Sequence, residues 1–304
     1  MTAVSFHFHG YQPGDILRWS EPDPFARQTF EERVSPVVHV IGDERIEGRN
    51  WTDTVLRTYG RMETVLRRAR GAASVDIEPQ TLVWLLERDP DAYRRILRSY
   101  EDGTAGLVLT PPFHPILPHH YSLEQEALFE MMIDFYAPIL RSNPGGQVGL
   151  WLPEAAYSRE AMGSYLAATD RASAEGNGPS DLRQRTHLLL DERQVAVTAP
   201  ATGAWGSVNV GSEVPLIGRD HGLSSAFAFG ATSPESFVAS VRSRPGDSHL
   251  VASDFESLLA NPTQGERFEA IVDSLRSAGI EVTAPLPPDL RLEVQVVDYS
   301  SWSD

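Results

Sequence analysis

The sequence predicts an α/β protein in which parallel strands, each followed by a helix, close into a barrel. Three observations carry that prediction. Short apolar runs alternate with amphipathic stretches along the 304-residue chain. Successive runs are separated by a dozen residues or more, the length that a parallel crossover needs and a hairpin does not. About seven such strand–helix units fit in the chain, which favours a closed barrel over an open sheet.

Taken in order, Val4 to Phe8 reads as a strand, and a long polar segment rich in Pro, Arg and Glu follows. Trp51 to Arg70 reads as a helix, with Val55, Tyr59, Met62 and Leu66 on one stripe. Ser74 to Ile77 is the next strand and Pro79 to Glu87 its helix. Asp89-Pro90 restarts a helix, Asp as N-cap and Pro in the first turn. Leu107 to Leu109 is a strand that ends in Pro-Pro. Ser122 opens a helix through a Ser-x-x-Gln box closed by Gln125, and Val148 to Leu152 is again a strand. Ser158 to Ala172 reads as helix and Ser173 to Ser180 as a loop by composition. His187 to Leu190, Val195 to Thr198 and Ala226 to Phe229 are strand candidates. Ser233-Pro234 starts a helix, His249 to Ser253 is a strand, and Thr263 to Ala278 is a helix capped by Thr263 and Glu266. Its Phe268, Ile271, Val272 and Leu275 share one face. No repeat or linker interrupts the pattern, so residues 1–304 read as one domain, with Ala201 to Leu223 an elaboration of it.

Composition narrows the function. Apolar residues are 41% and charged ones 22%, an ordinary globular balance. With 26 basic and 42 acidic residues the net charge is −16, which disfavours a nucleic-acid partner. All the basic residues are Arg; there is no Lys and no Cys, which excludes Schiff-base and P-loop lysines, disulfides and thiolate chemistry. No apolar run approaches a membrane span and the N-terminus lacks a signal-peptide pattern, so no membrane partner and a cytoplasmic location are expected. Nothing in the sequence sets an oligomeric state.

Four segments place polar residues at strand ends, where parallel α/β proteins carry their chemistry. In Ser5 to Pro13, strand alternation puts His7 and His9 on one face and Phe6 and Phe8 on the other, with Gln12 just beyond. In Pro111 to His120, four prolines restrict a loop that can hold His114 at a pocket rim, or simply serve as a rigid connector. Gly149 to Tyr157 delivers Glu154 at a strand end between Trp151 and Tyr157, two aromatics able to stack on a sugar. His249 to Glu256 ends in Asp254 and Glu256, on one face of the strand. Two carboxylates on separate strands of one barrel suit glycosidic cleavage, which takes one as nucleophile or base and one as acid.

In their order and spacing, His-Phe-His with Gln-Pro, His-Pro-Ile-Leu-Pro, Trp-Leu-Pro-Glu and Asp-Phe-Glu resemble glycoside hydrolase family 57. The resemblance extends to Ser74 to Leu97 and to Ser301-Trp302-Ser303, nearly the whole chain. It implies a (β/α)7-type distorted parallel barrel and a retaining enzyme acting on α-glucans, with an oligosaccharide or polysaccharide as substrate. By position it implies Glu154 as nucleophile and Asp254 as general acid/base. His7, His9, Gln12, His114, Trp151, Tyr157 and Glu256 are the implied substrate-binding residues, with Tyr11 and Phe113 as further stacking candidates. No cofactor and no metal are expected.

Two other readings compete. Asp-Phe-Glu continues into Ser257-Leu258-Leu259 rather than the Phe-Gly usual in that family, which suits a non-catalytic carbohydrate-binding or regulatory relative. Alternatively, His7, His9, Asp254 and His114 could supply nitrogen and oxygen ligands to zinc in a metal-dependent hydrolase on a related barrel.

Overall fold

Seven parallel strands run round the molecule in chain order: β1 (Ala3–Gly10), β2 (Ala73–Ile77), β3 (Gly106–Leu109), β4 (Val148–Trp151), β5 (Thr186–Asp191), β6 (Glu213–Arg219) and β7 (Ser248–Asp254). β7 pairs with β1 from Ala3↔Ser248 to His9↔Asp254, and Arg219↔Leu250 joins β6 to β7, so the sheet closes into a barrel. This computed structural model describes residues 2–11, 40–41, 44–45, 51–69, 71–196, 205–209, 213–229, 232–255, 262–285 and 294–301.

The helices lie outside the barrel because each has one apolar face. In α1 (Trp51–Arg68) the stripe residues Tyr59, Met62 and Leu66 are all buried, and in α9 (Pro262–Ser277) so are Phe268, Ile271, Val272 and Leu275. Between them stand α2 (Pro79–Arg88), α3 (Pro90–Glu101), α4 (Ser122–Ser142), α5 (Arg159–Glu175), the single turn α6 (Leu182–Arg185), α7 (His221–Phe229) and α8 (Pro234–Ser243). Asp89 caps α3 by accepting from the Ala92 amide at 2.9 Å, and Ser158 caps α5 through the Ala161 amide at 3.1 Å. Among the described residues no helix is long and apolar enough to cross a membrane.

Alternation along β1 divides two environments. Phe6 and Phe8 point outward and meet Phe268 edge-on, with ring centroids 5.0 and 5.3 Å away; Phe227 and Phe255 complete this aromatic layer. His7 and His9 point into the barrel, as does Trp151, whose ring lies 5.3 Å from His7 and 5.9 Å from His9. Gly149, two residues before Trp151, makes room on that same side. A Cβ there would lie 2.6 Å from Cγ2 of Val108 on β3.

Four expectations from the sequence are corrected. β6 lies inside the Ala201 to Leu223 stretch, which is therefore part of the barrel and not an elaboration; it pairs with β5 and, antiparallel, with Trp205–Asn209. Ala226 to Phe229 is the end of α7, an apolar run too short for period to separate strand from helix. Gln125 does not close a capping box. Its buried amide donates to the carbonyls of Leu117 and His120, and Glu124 accepts from the Tyr121 amide instead. The helix expected to stop at Ala172 continues to Glu175 and ends on left-handed Gly176. Of Val195 to Thr198, the pair Val195–Ala196 forms a short antiparallel ladder with Gln295–Val296; residues 197 and 198, like the side chain of Thr263, lie outside those described.

Candidate active site

At the carboxyl ends of the strands the barrel is polar. Asp76, fully buried near the end of β2, receives both β1 histidines: His9 Nδ1 lies 2.7 Å from Oδ2 and His7 Nε2 3.0 Å from Oδ1. Ser74, two residues earlier on the same face, holds the other His7 nitrogen at 3.1 Å. Burial favours the neutral form of His9, but the Asp76 carboxylate overrides it and raises the imidazole to about 10. Asp76 shows the complementary effect: burial pushes it up, the two histidines pull it down, and it ends below the usual carboxylate range.

The sign of the pH dependence follows. His9, raised on folding, contributes stability that is complete below its ordinary value of 6.5 and is lost as pH rises through about 10. Asp76, lowered on folding, contributes above 3.8 and loses that contribution as pH falls through its folded value. Because the chain contains no Lys, no side-chain amine adds to the titration on the alkaline side. Asp76→Asn is expected to lower stability at pH 7 by about 3–5 kcal/mol, since it breaks a buried pair. It should also flatten the loss of stability between pH 7 and 10, as read by urea unfolding at a series of pH values. A variant with the wild-type slope contradicts this coupling.

The next layer is His114, between two carboxylates. Its Nδ1 lies 2.5 Å from Glu78 Oε1 and its Nε2 3.1 Å from Glu154 Oε1. Burial lowers this imidazole, the bonds to Glu154 and Glu78 raise it, and it settles at about 9, so at neutral pH both nitrogens donate. Gln80, in the first turn of α2, donates to the other Glu78 oxygen and accepts from the Phe113 amide at 2.9 Å, which ties the proline-rich loop to β2. Tyr11 stacks on His114 at 4.1 Å and 22°.

Two loops reach these positions by unusual backbone. Phe113 and His114 after β3, and Glu154 and Ala155 after β4, have φ of 72°, 50°, 57° and 48°. Left-handed non-glycine residues cost about 1–3 kcal/mol each and persist where the surroundings over-determine them. Here the bracing is visible. Gln194 donates to the Ala155 carbonyl at 2.9 Å and to Ser300 Oγ at 3.0 Å, and Tyr157 and Ser300 exchange both backbone hydrogen bonds.

Across the mouth stands Asp254, at the end of β7. Solvent reaches it, yet the protein around it removes enough water to raise its carboxyl. Glu154 and Asp76 push the same way, against His9 and Arg219. β4 and β7 are separated by β5 and β6 on one side and by β1, β2 and β3 on the other, so Glu154 and Asp254 follow strands on opposite sides of the barrel.

Residues 1–291 match the family described as maltose-forming alpha-amylase-like, N-terminal domain. The chain belongs to this family, a branch of glycoside hydrolase family 57. The exo-type maltose-forming amylase of Pyrococcus sp. ST04 is 32% identical with a TM-score of 0.80, over 100% of this chain and 53% of that one. The family 57 chain thus spans about half the length of that relative. The 4-alpha-glucanotransferase of Thermococcus litoralis (13% identity, TM-score 0.66, 98% of this chain and 42% of that one) shares the fold. So does the family 57 branching enzyme of Pyrococcus horikoshii (10%, 0.63, 99% and 73%). No curated protein matches the chain.

Within this family 57 barrel, the structure gathers His7, His9, His114, Glu154 and Asp254 at one end. Gln12 and Glu256 lie outside the described residues. Trp151 and Tyr157 are both buried, Trp151 beneath the histidines and Tyr157 under the segment around Ser300. Of the four stacking candidates, Phe113, 62% exposed, and half-buried Tyr11 are the accessible ones. The four zinc candidates His7, His9, Asp254 and His114 do not form one cluster. Among the described residues the metal-capable group that converges is His9, Glu78 and His114.

Asp76, Glu78 and Gln80 escaped the sequence reading, although Asp-Ile-Glu-Pro-Gln at a strand end alternates polar residues as His-Phe-His does. Asp191 and Arg219 also escaped it. At the ends of β5 and β6 they form an ion pair of 2.6 Å, and His221 lies 3.2 Å from the same Asp191 oxygen.

Proposed function

We propose that the chain acts on α-glucans by double displacement, with Glu154 as nucleophile and Asp254 as general acid/base. The observation that carries this reading is the pair of strand-end carboxylates facing one barrel mouth, with Asp254 raised by burial and by the Glu154 charge. Glu154 attacks the anomeric carbon as Asp254 gives its proton to the departing oxygen. Glu154 loses its charge on becoming an ester, so Asp254 loses one of the influences holding its proton. It then serves as base towards water or an acceptor sugar. His114 orients Glu154 through the 3.1 Å contact, and its own positive charge is balanced by Glu78 on the other nitrogen. His9 carries a buried Nε2 without a hydrogen-bond partner, a donor suited to a sugar hydroxyl.

The names of the family and of the Pyrococcus relative make maltooligosaccharides the first substrates to try. Incubated with a panel of them, the chain is expected to release or transfer α-configured products, read by proton NMR before mutarotation. Products of β configuration, or binding without turnover, overturn the reading.

A further inference from the structure

Glycosyl transfer uses carboxylates and donors, yet three side chains of the site also converge as metal ligands. One ligand-capable atom from each of His9, Glu78 and His114 lies within 4.8 Å of the other two. They come from the end of β1, the β2–α2 junction and the loop after β3, neighbouring positions on the rim. The far side of each is already engaged. His9 Nδ1 faces Asp76 at 2.7 Å, His114 Nε2 faces Glu154 at 3.1 Å, and Gln80 donates to the second Glu78 oxygen. That leaves His9 Nε2, buried and without a hydrogen-bond partner on a side chain 9% exposed, and His114 Nδ1, 2.5 Å from Glu78 Oε1.

We infer that His9, Glu78 and His114 form a site for a divalent transition-metal ion of the zinc type, which enters in exchange for protons and closes the pocket to sugar. Two imidazoles and one carboxylate are a tetrahedral zinc set with a position left over. The arrangement behind them is what orients such ligands: each histidine's other nitrogen is hydrogen-bonded to a carboxylate, and the ligating carboxylate is itself hydrogen-bonded. The ion draws the three atoms in to about 3.4 Å of one another, the spacing that bonds of about 2.0–2.1 Å impose. His9 gives up any proton on Nε2 and His114 the proton shared with Glu78, and no group is oxidised or reduced. Metal and sugar compete for the same His9 nitrogen. The blocking half of the inference rests on the proposed glycosyl transfer, and the binding half does not.

The test is calorimetric titration of the wild-type chain with zinc chloride at pH 7.5 in two buffers of different protonation enthalpy. The expected result is one zinc per chain with one to two protons released, binding that weakens towards pH 6. His9→Gln, His114→Gln and Glu78→Gln, each checked for folding by its thermal melt, are each expected to weaken binding at least about 100-fold. Replacing His119 and His120 together by Ala, nearby on the same loop, should leave it unchanged. Absence of one-to-one binding, or folded variants that bind as wild type does, overturns the site. Zinc should also inhibit glucan turnover competitively with substrate. A chain that binds zinc but turns over no glucan overturns the glycosyl-transfer reading and its blocking corollary, and supports the site itself. One that turns over glucan and is indifferent to zinc overturns this inference alone.

Discussion

Glu154→Gln is expected to lower turnover of maltooligosaccharides on the order of 10⁴-fold or more, with little change in stability. The amide keeps the size of the side chain and can still accept from His114 Nε2, the contact now at 3.1 Å, so the left-handed loop around residue 154 has no reason to move. What the variant lacks is the anion that forms the glycosyl bond. Substrate affinity should therefore change far less than turnover, and thermal unfolding should stay near wild type. A variant that retains more than about a tenth of wild-type turnover places the nucleophile elsewhere.

Asp254→Asn is expected to lower turnover about 10²- to 10⁴-fold, the usual contribution of a positioned acid and base. The loss should depend on the leaving group. A natural glucan, whose departing oxygen needs a proton, suffers the full effect in the first step; an aryl glycoside with an acidic phenol suffers little there and accumulates the glycosyl-enzyme. Because burial and the Glu154 charge raise Asp254, the proton needed for the first step is held to higher pH than on an ordinary aspartate. The alkaline limb of kcat/KM should report its loss, and should vanish in Asp254→Asn with the aryl substrate. Equal losses on both substrates would contradict the acid/base role.

Much of this was legible in the sequence because strand alternation is a strong local signal. His-Phe-His could be split into an inward and an outward pair, and Asp254 placed at a strand end, without knowing any contact. β6 was hidden by its own composition. Pro215 and Gly218 sit within it, and Pro215 is tolerated because it stands before the parallel ladder with β5 begins at Leu216, opposite Ser207 of the hairpin. Trp151 and Tyr157 flank Glu154 in sequence, but both are covered by segments more than a hundred residues away, His7 and Ser300 among them. Asp76 and Glu78 were missed for a related reason. A carboxylate at a strand end is ordinary until its partners are known, and theirs come from β1 and from the proline-rich loop.

These partners also explain how charge is managed in a barrel with so polar an end. Buried Asp76 answers His7 and His9, and buried Glu78 answers His114, while Glu154, more exposed than either, meets the other nitrogen of His114. On the proposed mechanism, the supporting acids are the fully buried ones and the reacting acids are those that solvent reaches.

The most direct test of the central claim is to trap the intermediate. The wild-type chain is incubated with a fluorinated α-glucosyl fluoride that slows breakdown of the glycosyl-enzyme, then digested, and the mass-shifted peptide is sequenced. The account predicts one added sugar on the peptide carrying Glu154, absent from Glu154→Gln. A sugar attached to another carboxylate, or turnover of that reagent with inverted configuration and no adduct, would contradict it.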